Sequence, residues 1–150
     1  EYNAYDKEVS DMVKLLLGGK GAGKTKEMIA FANDKVEVKK GDIVFINKND
    51  RLNFDLKYDI RLISMIEYPY IENIDGFIGF LYGIQSGNSD IESVYIDGIL
   101  KYADINTENI HMFLERLNIL SENSNIEFIV SLSAEKGELE KVNFDAYEIL

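Results

Sequence analysis

The sequence predicts an α/β domain, a three-layer sandwich built on a mostly parallel five-stranded sheet. Two observations carry that expectation. Five short apolar runs of strand length, Val13–Leu17, Ile43–Ile46, Ile60–Ile66, Glu92–Ile96 and Ile126–Leu132, are separated mostly by longer stretches of helical periodicity. Several runs are almost continuously apolar, which suits strands covered on both faces, the condition of a central parallel strand. The resulting order is strand-helix-strand-strand-helix-strand-helix-strand-helix, which needs crossover connections and so favours parallel pairing. At 150 residues the chain suits one domain.

The first run, Val13–Leu17, leads directly into Gly18-Gly19-Lys20-Gly21-Ala22-Gly23-Lys24-Thr25, and the helix-prone segment KEMIAFAN follows. This is the G-x-x-x-x-G-K-[ST] pattern in its required setting, strand before and helix after. Glycines let consecutive main-chain N–H groups turn inward toward phosphate oxygens, and the helix N-terminus adds partial positive charge. In that chemistry Lys24 reaches the β- and γ-phosphates, and the Thr25 hydroxyl holds Mg²⁺. The expected ligand is therefore a nucleotide with Mg²⁺, bound over Gly18–Thr25.

Further along, Met28, Ile29, Ala32 and Val36 share one side of a helix. Lys39–Asp42 reads as a turn, Ile43–Ile46 as the second strand, and residues 48–59 as a polar connection. Ile60–Ile66 is the third strand, closed by Tyr68-Pro69. From Glu72 to Gly87 the apolar residues Ile74, Phe77, Ile78, Leu81 and Ile84 share one helical side. Gly76, Gly79, Gly83 and Gly87 fall within an arc of about 80° roughly opposite. Each glycine costs a helix about 1 kcal/mol relative to alanine. That stripe fits either a segment that is partly loop or a close-packed face for self-association.

Glu92–Ile96 ends in Asp97, and a carboxylate closing an apolar strand suits the role of holding Mg²⁺ beside Thr25. Thr107 is placed to cap a helix whose core stripe is Ile110, Phe113, Leu114, Leu117 and Leu120. Ile126–Leu132 is the fifth strand, and residues from Ser133 to Leu150 read as a charged helical tail. Residues 1–11 carry four acids and one lysine, and read as an N-terminal arm or appended segment ahead of the nucleotide-binding domain at 12–150.

Composition narrows the function classes. The net charge of −11 disfavours general binding to nucleic acid or an anionic membrane surface. The absence of cysteine excludes disulfides, zinc–thiolate sites and a thiol nucleophile. With no apolar run approaching membrane-spanning length, the expectation is a cytoplasmic protein.

The phosphate loop, the strands before Asp97 and a polar residue ending the next strand resemble the RecA/AAA-like branch of P-loop NTPases. The chain is also similar to short bacterial ATP-binding proteins. The resemblance covers most of residues 12–135 and implies the P-loop NTPase fold. It further implies a glutamate that polarises the attacking water, which often directly follows the Walker B aspartate. Gly98 occupies that place here. In the RecA-like variant the glutamate ends an earlier strand, which nominates Glu67. The resemblance also implies a polar sensor of the γ-phosphate at the end of the fifth strand, Ser131 or Ser133. Asn47-Lys48-Asn49-Asp50 reproduces the N-K-x-D motif that reads guanine in GTPases, but it lies between the phosphate loop and Asp97, where a GTPase does not carry it.

Three readings follow. The first is an ATP/Mg²⁺-binding protein, a slow ATPase or nucleotide-dependent switch acting through a protein partner or as a homo-oligomer. The second is a small-molecule phosphotransferase, for which the three arginines, Arg51, Arg61 and Arg116, are few. The third is a GTP-binding or non-hydrolysing interaction module.

Overall fold

The computed structural model describes residues 12–52 and 55–150. The proposed N-terminal arm, residues 1–11, lies outside the described residues. Strand β1 (Val13–Leu17) is followed by α1 (Lys24–Val36), β2 (Asp42–Asn47), β3 (Ile60–Ser64) and α2 (Ile74–Gly87). Then come β4 (Ile91–Ile96), α3 (Ile110–Ser124), β5 (Glu127–Leu132) and β6 (Glu148–Ile149). The sheet order is β3-β2-β4-β5-β1-β6, and every neighbouring pair is parallel.

Alternation along each strand divides the core into two layers. Leu16, Ile43, Phe45, Tyr95 and Ile129 face α1, where Met28 and Ala32 are fully buried. Leu15, Val44, Ile46, Val94, Ile96, Phe128 and Val130 face the other way, against Phe77 and Leu81 of α2 and Phe113, Leu114 and Leu117 of α3. The expected three layers are therefore present.

The sheet has six strands, not five. The tail after Ser133 is not a helix. It makes short 3₁₀ turns at Lys136–Glu138 and Phe144–Ala146, then lays β6 beside β1. Without β6, β1 would be an open edge although Leu15 is fully buried; instead Leu150 N–H donates to the Leu15 carbonyl at 2.9 Å. Lys14 also pairs with Glu127 and Glu148, at 3.4 and 3.6 Å. The tail anchors itself through buried Leu139, Val142 and Tyr147.

Three other boundaries differ. The third strand stops at Ser64, and Met65–Glu67 form a 3₁₀ turn held where Ile66 N–H donates to the Lys48 carbonyl at 3.0 Å. The helix expected after Thr107 begins at Ile110, because Asn106 and Asn109 bond each other and the Asp104 carbonyl in a preceding turn. Helix α2 is unbroken through its glycines, so no part of Ile74–Gly87 is loop. Asn73 caps it by accepting the Gly76 N–H at 2.8 Å. Gly79, Gly83 and Gly87 face outward, with nothing within 4 Å of where a Cβ would stand. The helix is held from its opposite side, where Phe77 meets the rings of Phe113 and Tyr102, both at 5.6 Å. Among the described residues, no helix is long and apolar enough to cross a membrane.

Candidate functional site

All strands run the same way, so the loops that follow β1, β4 and β5 gather at one edge of the sheet. Strand β5 lies between β1 and β4, and its end sits between the phosphate-loop sequence and Asp97.

The turn Gly18–Gly23 is set by backbone geometry. Gly21 and Gly23 have φ near 83° and 82°, in the left-handed region that L side chains rarely adopt. Ala22 N–H closes the turn onto the Gly19 carbonyl at 3.2 Å, and Gly23 sits at the N-cap of α1. Gly18 N–H donates to the Ala134 carbonyl at 3.2 Å, which ties the loop to the end of β5. Within the described residues, no hydrogen bond claims the N–H groups of Gly21, Gly23, Lys24 and Thr25. These are the orphan donors of a helix start, gathered where the helix dipole is positive. Lys24 is 8% exposed, and its ammonium donates to the Gly19 carbonyl at 2.8 Å. Lys20 and Ala22 stand exposed on the loop.

Asp97, one residue past β4, is 6% exposed and has both carboxylate oxygens engaged. The Thr25 hydroxyl donates to Oδ2 at 2.8 Å, and the Ser131 hydroxyl donates to Oδ1 at 2.7 Å. Ser131 Oγ in turn accepts the Gly98 N–H at 2.7 Å. Gly98 is in the left-handed region (φ 67°), which folds the chain back toward β5. Tyr102 completes the support: its hydroxyl donates to the Asp97 carbonyl at 2.6 Å. Burial first, then the charge of Asp97, hold the Tyr102 phenol well above its ordinary pKa, so it remains a donor.

The fold thus brings together Gly18–Thr25, Asp97 and Ser131. It does not bring Glu67 to them. Glu67 is exposed beyond β3, the edge strand four steps from β1, about 19 Å away by inter-strand spacing alone. Of the two sensor serines, Ser131 makes the contacts, and Ser133 makes no side-chain hydrogen bond among the described residues. The Asn47–Asp50 motif ends β2 in a turn on itself, with Asn47 Nδ2 donating to the Asn49 carbonyl at 3.3 Å.

Two contributors escaped the sequence reading. Tyr102 sits in a segment without helical or strand periodicity. Glu135, assigned to the charged tail, places Oε1 as acceptor of the Gly19 N–H at 3.1 Å. Its position two residues beyond Ser133, at the mouth of β5, was the signal available.

The donor set suits Mg²⁺. One carboxylate and one hydroxyl, Asp97 and Thr25, are hard oxygen ligands, and Mg²⁺ is held by one or two carboxylates plus substrate phosphates rather than by an all-protein cage.

No protein-family model matches the chain, and no curated protein matches it by sequence. Among solved structures it is similar to the KaiC-like protein of the hyperthermophilic archaeon Pyrococcus horikoshii OT3, with a TM-score of 0.59 and 19% identity. The match spans 85% of this chain and 66% of that one, a little under two thirds of the other protein. At that identity the likeness is one of architecture, and architecture does not name an activity. This chain carries an α/β fold with a parallel sheet, similar to that of the KaiC-like protein.

Proposed function

We propose that the domain binds ATP with Mg²⁺ over Gly18–Thr25 and serves as a slow ATPase or nucleotide-dependent switch that acts through a protein partner or a second copy. The observation that carries this reading is the Thr25–Asp97–Ser131 chain. Three segments distant in sequence converge, with two hydrogen bonds of 2.8 and 2.7 Å, next to a turn that leaves the Gly21, Gly23, Lys24 and Thr25 amides without a partner among the described residues at a helix start.

In this reading the unclaimed amides of Gly21, Gly23, Lys24 and Thr25, with the Lys24 ammonium, receive the polyphosphate. Thr25 and Asp97 hold Mg²⁺, which when bound neutralises phosphate charge and lowers the barrier to phosphoryl transfer. Ser131 keeps Asp97 oriented and couples it to Gly98, so a change at the phosphates reaches the chain after β4. Gly98 stands where a water-polarising carboxylate often follows Walker B, and Glu67 lies at the far edge of the sheet. Both features support slow turnover rather than rapid hydrolysis. The self-bonded turn at Asn47–Asp50 and its distance in the sheet from β1 support adenine over guanine specificity.

A phosphate-release assay with ATP and GTP tests this. Turnover well below the common enzyme range of about 1–10³ s⁻¹, with ATP preferred, is expected. Fast turnover that appears only on adding a small-molecule acceptor would replace the switch by a phosphotransferase.

A further inference from the structure

The turn after β5 does more than close the chain. Glu135 Oε1 accepts a main-chain N–H of the phosphate-loop sequence itself, that of Gly19, at 3.1 Å. The same Gly19 offers its carbonyl to the Lys24 ammonium at 2.8 Å, so a carboxylate and the loop lysine flank one residue. Glu135 is not loosely held. Its own N–H donates to Glu138 Oε1 at 3.0 Å and its side chain accepts the Glu138 N–H, a reciprocal cap on the 3₁₀ turn Lys136–Glu138. That turn is pinned in the core by Leu139, 1% exposed, and the preceding Ala134 accepts the Gly18 N–H. Two successive loop amides, Gly18 and Gly19, are thus bonded to the turn, one through a carbonyl and one through a negatively charged side chain.

A carboxylate and a phosphate oxygen compete for the same donors, and two anions on adjacent donors repel. We infer that Glu135 is a gate on anion loading: its carboxylate holds Gly19 as a phosphate would, and an incoming polyphosphate displaces it. The displaced side chain releases the Glu135–Leu139 turn, which carries the signal away from the loop toward the β6 end of the sheet. The inference rests on the reading of Gly18–Thr25 as a polyphosphate cradle.

The test is calorimetric titration of Mg²⁺–ATP into the wild-type chain, Glu135→Gln and Glu135→Ala, with hydrogen exchange followed at residues 134–139. Glu135 is exposed, so both variants keep the core, and a thermal melt checks this. The gate predicts binding about three- to ten-fold tighter in both variants. It also predicts faster exchange across the turn of the wild type when Mg²⁺–ATP is added. Equal affinity in all three chains overturns the gate and leaves the cradle standing. Weaker binding in the variants makes Glu135 a support of the loop and overturns the gate as well. Unchanged affinity with lost phosphate release would make Glu135 a base instead. No binding in any of the three removes the cradle and the gate together.

Discussion

The hydroxyl of Thr25 and the carboxylate of Asp97, 72 residues apart in the chain, meet at 2.8 Å across the mouth of the sheet. The contact joins the first turn of α1, the helix that follows β1, to the end of β4, and β5 lies between those two strands. In the proposed function this hydroxyl and buried carboxylate are the two protein ligands of Mg²⁺, and the phosphates supply the rest. Asp97→Asn keeps the shape and removes the charge. It should weaken ATP binding in Mg²⁺ by at least about ten-fold while leaving binding in excess chelator unchanged. Titrations with and without Mg²⁺ check this.

Ser131→Ala removes the group that both donates to Asp97 and accepts from Gly98. It strands one buried carboxylate oxygen and one N–H, a loss of about 1–3 kcal/mol in unfolding free energy. Urea denaturation should show that decrease with an unchanged denaturant slope. Ser133→Ala, which breaks no side-chain bond among the described residues, should shift the midpoint little.

Much of this site was legible along the chain because its signals are local. The phosphate-loop pattern is a run of eight residues whose glycines dictate their own backbone angles, and an acid ending an apolar strand is visible without knowing its neighbours. Strand order was not legible. Glu67 follows an apolar run in the sequence just as Asp97 does, and the placement of β3 outside β2 separates it from the loop. The Gly19–Glu135 bond spans 116 residues and rests on a side chain in a turn without periodicity. Strand β6 is two residues long, too short to show alternation, and what defines it is the open edge of β1. The α2 glycines misled because propensity favours breaking a helix there. Burial of Ile74, Phe77, Ile78 and Leu81 overrides it.

Helix α2 offers a paired prediction. Phe77 is fully buried among aromatic rings, and Phe77→Ala should destabilise by about 3–5 kcal/mol. Gly79 meets open space, and Gly79→Ala should stabilise by about 0.5–1 kcal/mol. Thermal unfolding of the two variants should move in opposite directions.

The pH dependence has a defined alkaline limb. Burial, reinforced by the charge of Glu115, pushes the Tyr147 phenol up to about 12, and Tyr95 and Tyr102 are also raised, chiefly by burial. Each folded pKa lies above its unfolded value near 10, so the unfolded chain ionises first. Their contribution is fully present below about pH 10 and is lost as pH rises through the folded values. Urea midpoints should hold steady to about pH 9 and fall above 10, and Tyr147→Phe should lessen the loss between 10 and 12.

Gly41 supplies a control far from the site. A Cβ there would stand 2.2 Å from the Asp90 carbonyl oxygen, which also accepts the Asp42 N–H at 2.8 Å. Gly41→Ala should lower stability by about 1–3 kcal/mol through a shift of this backbone contact, without changing ATP affinity in the folded fraction.

The central claim is that main-chain amides and one lysine at Gly18–Thr25 grip a polyphosphate. Calorimetric titration of Mg²⁺–ATP into the wild-type chain and Lys24→Ala tests it most directly. The account predicts saturable binding in the wild type, abolished in the variant while its circular dichroism stays that of the folded chain. Heat of binding absent from the wild type, or unaltered when Lys24 is removed, would contradict it.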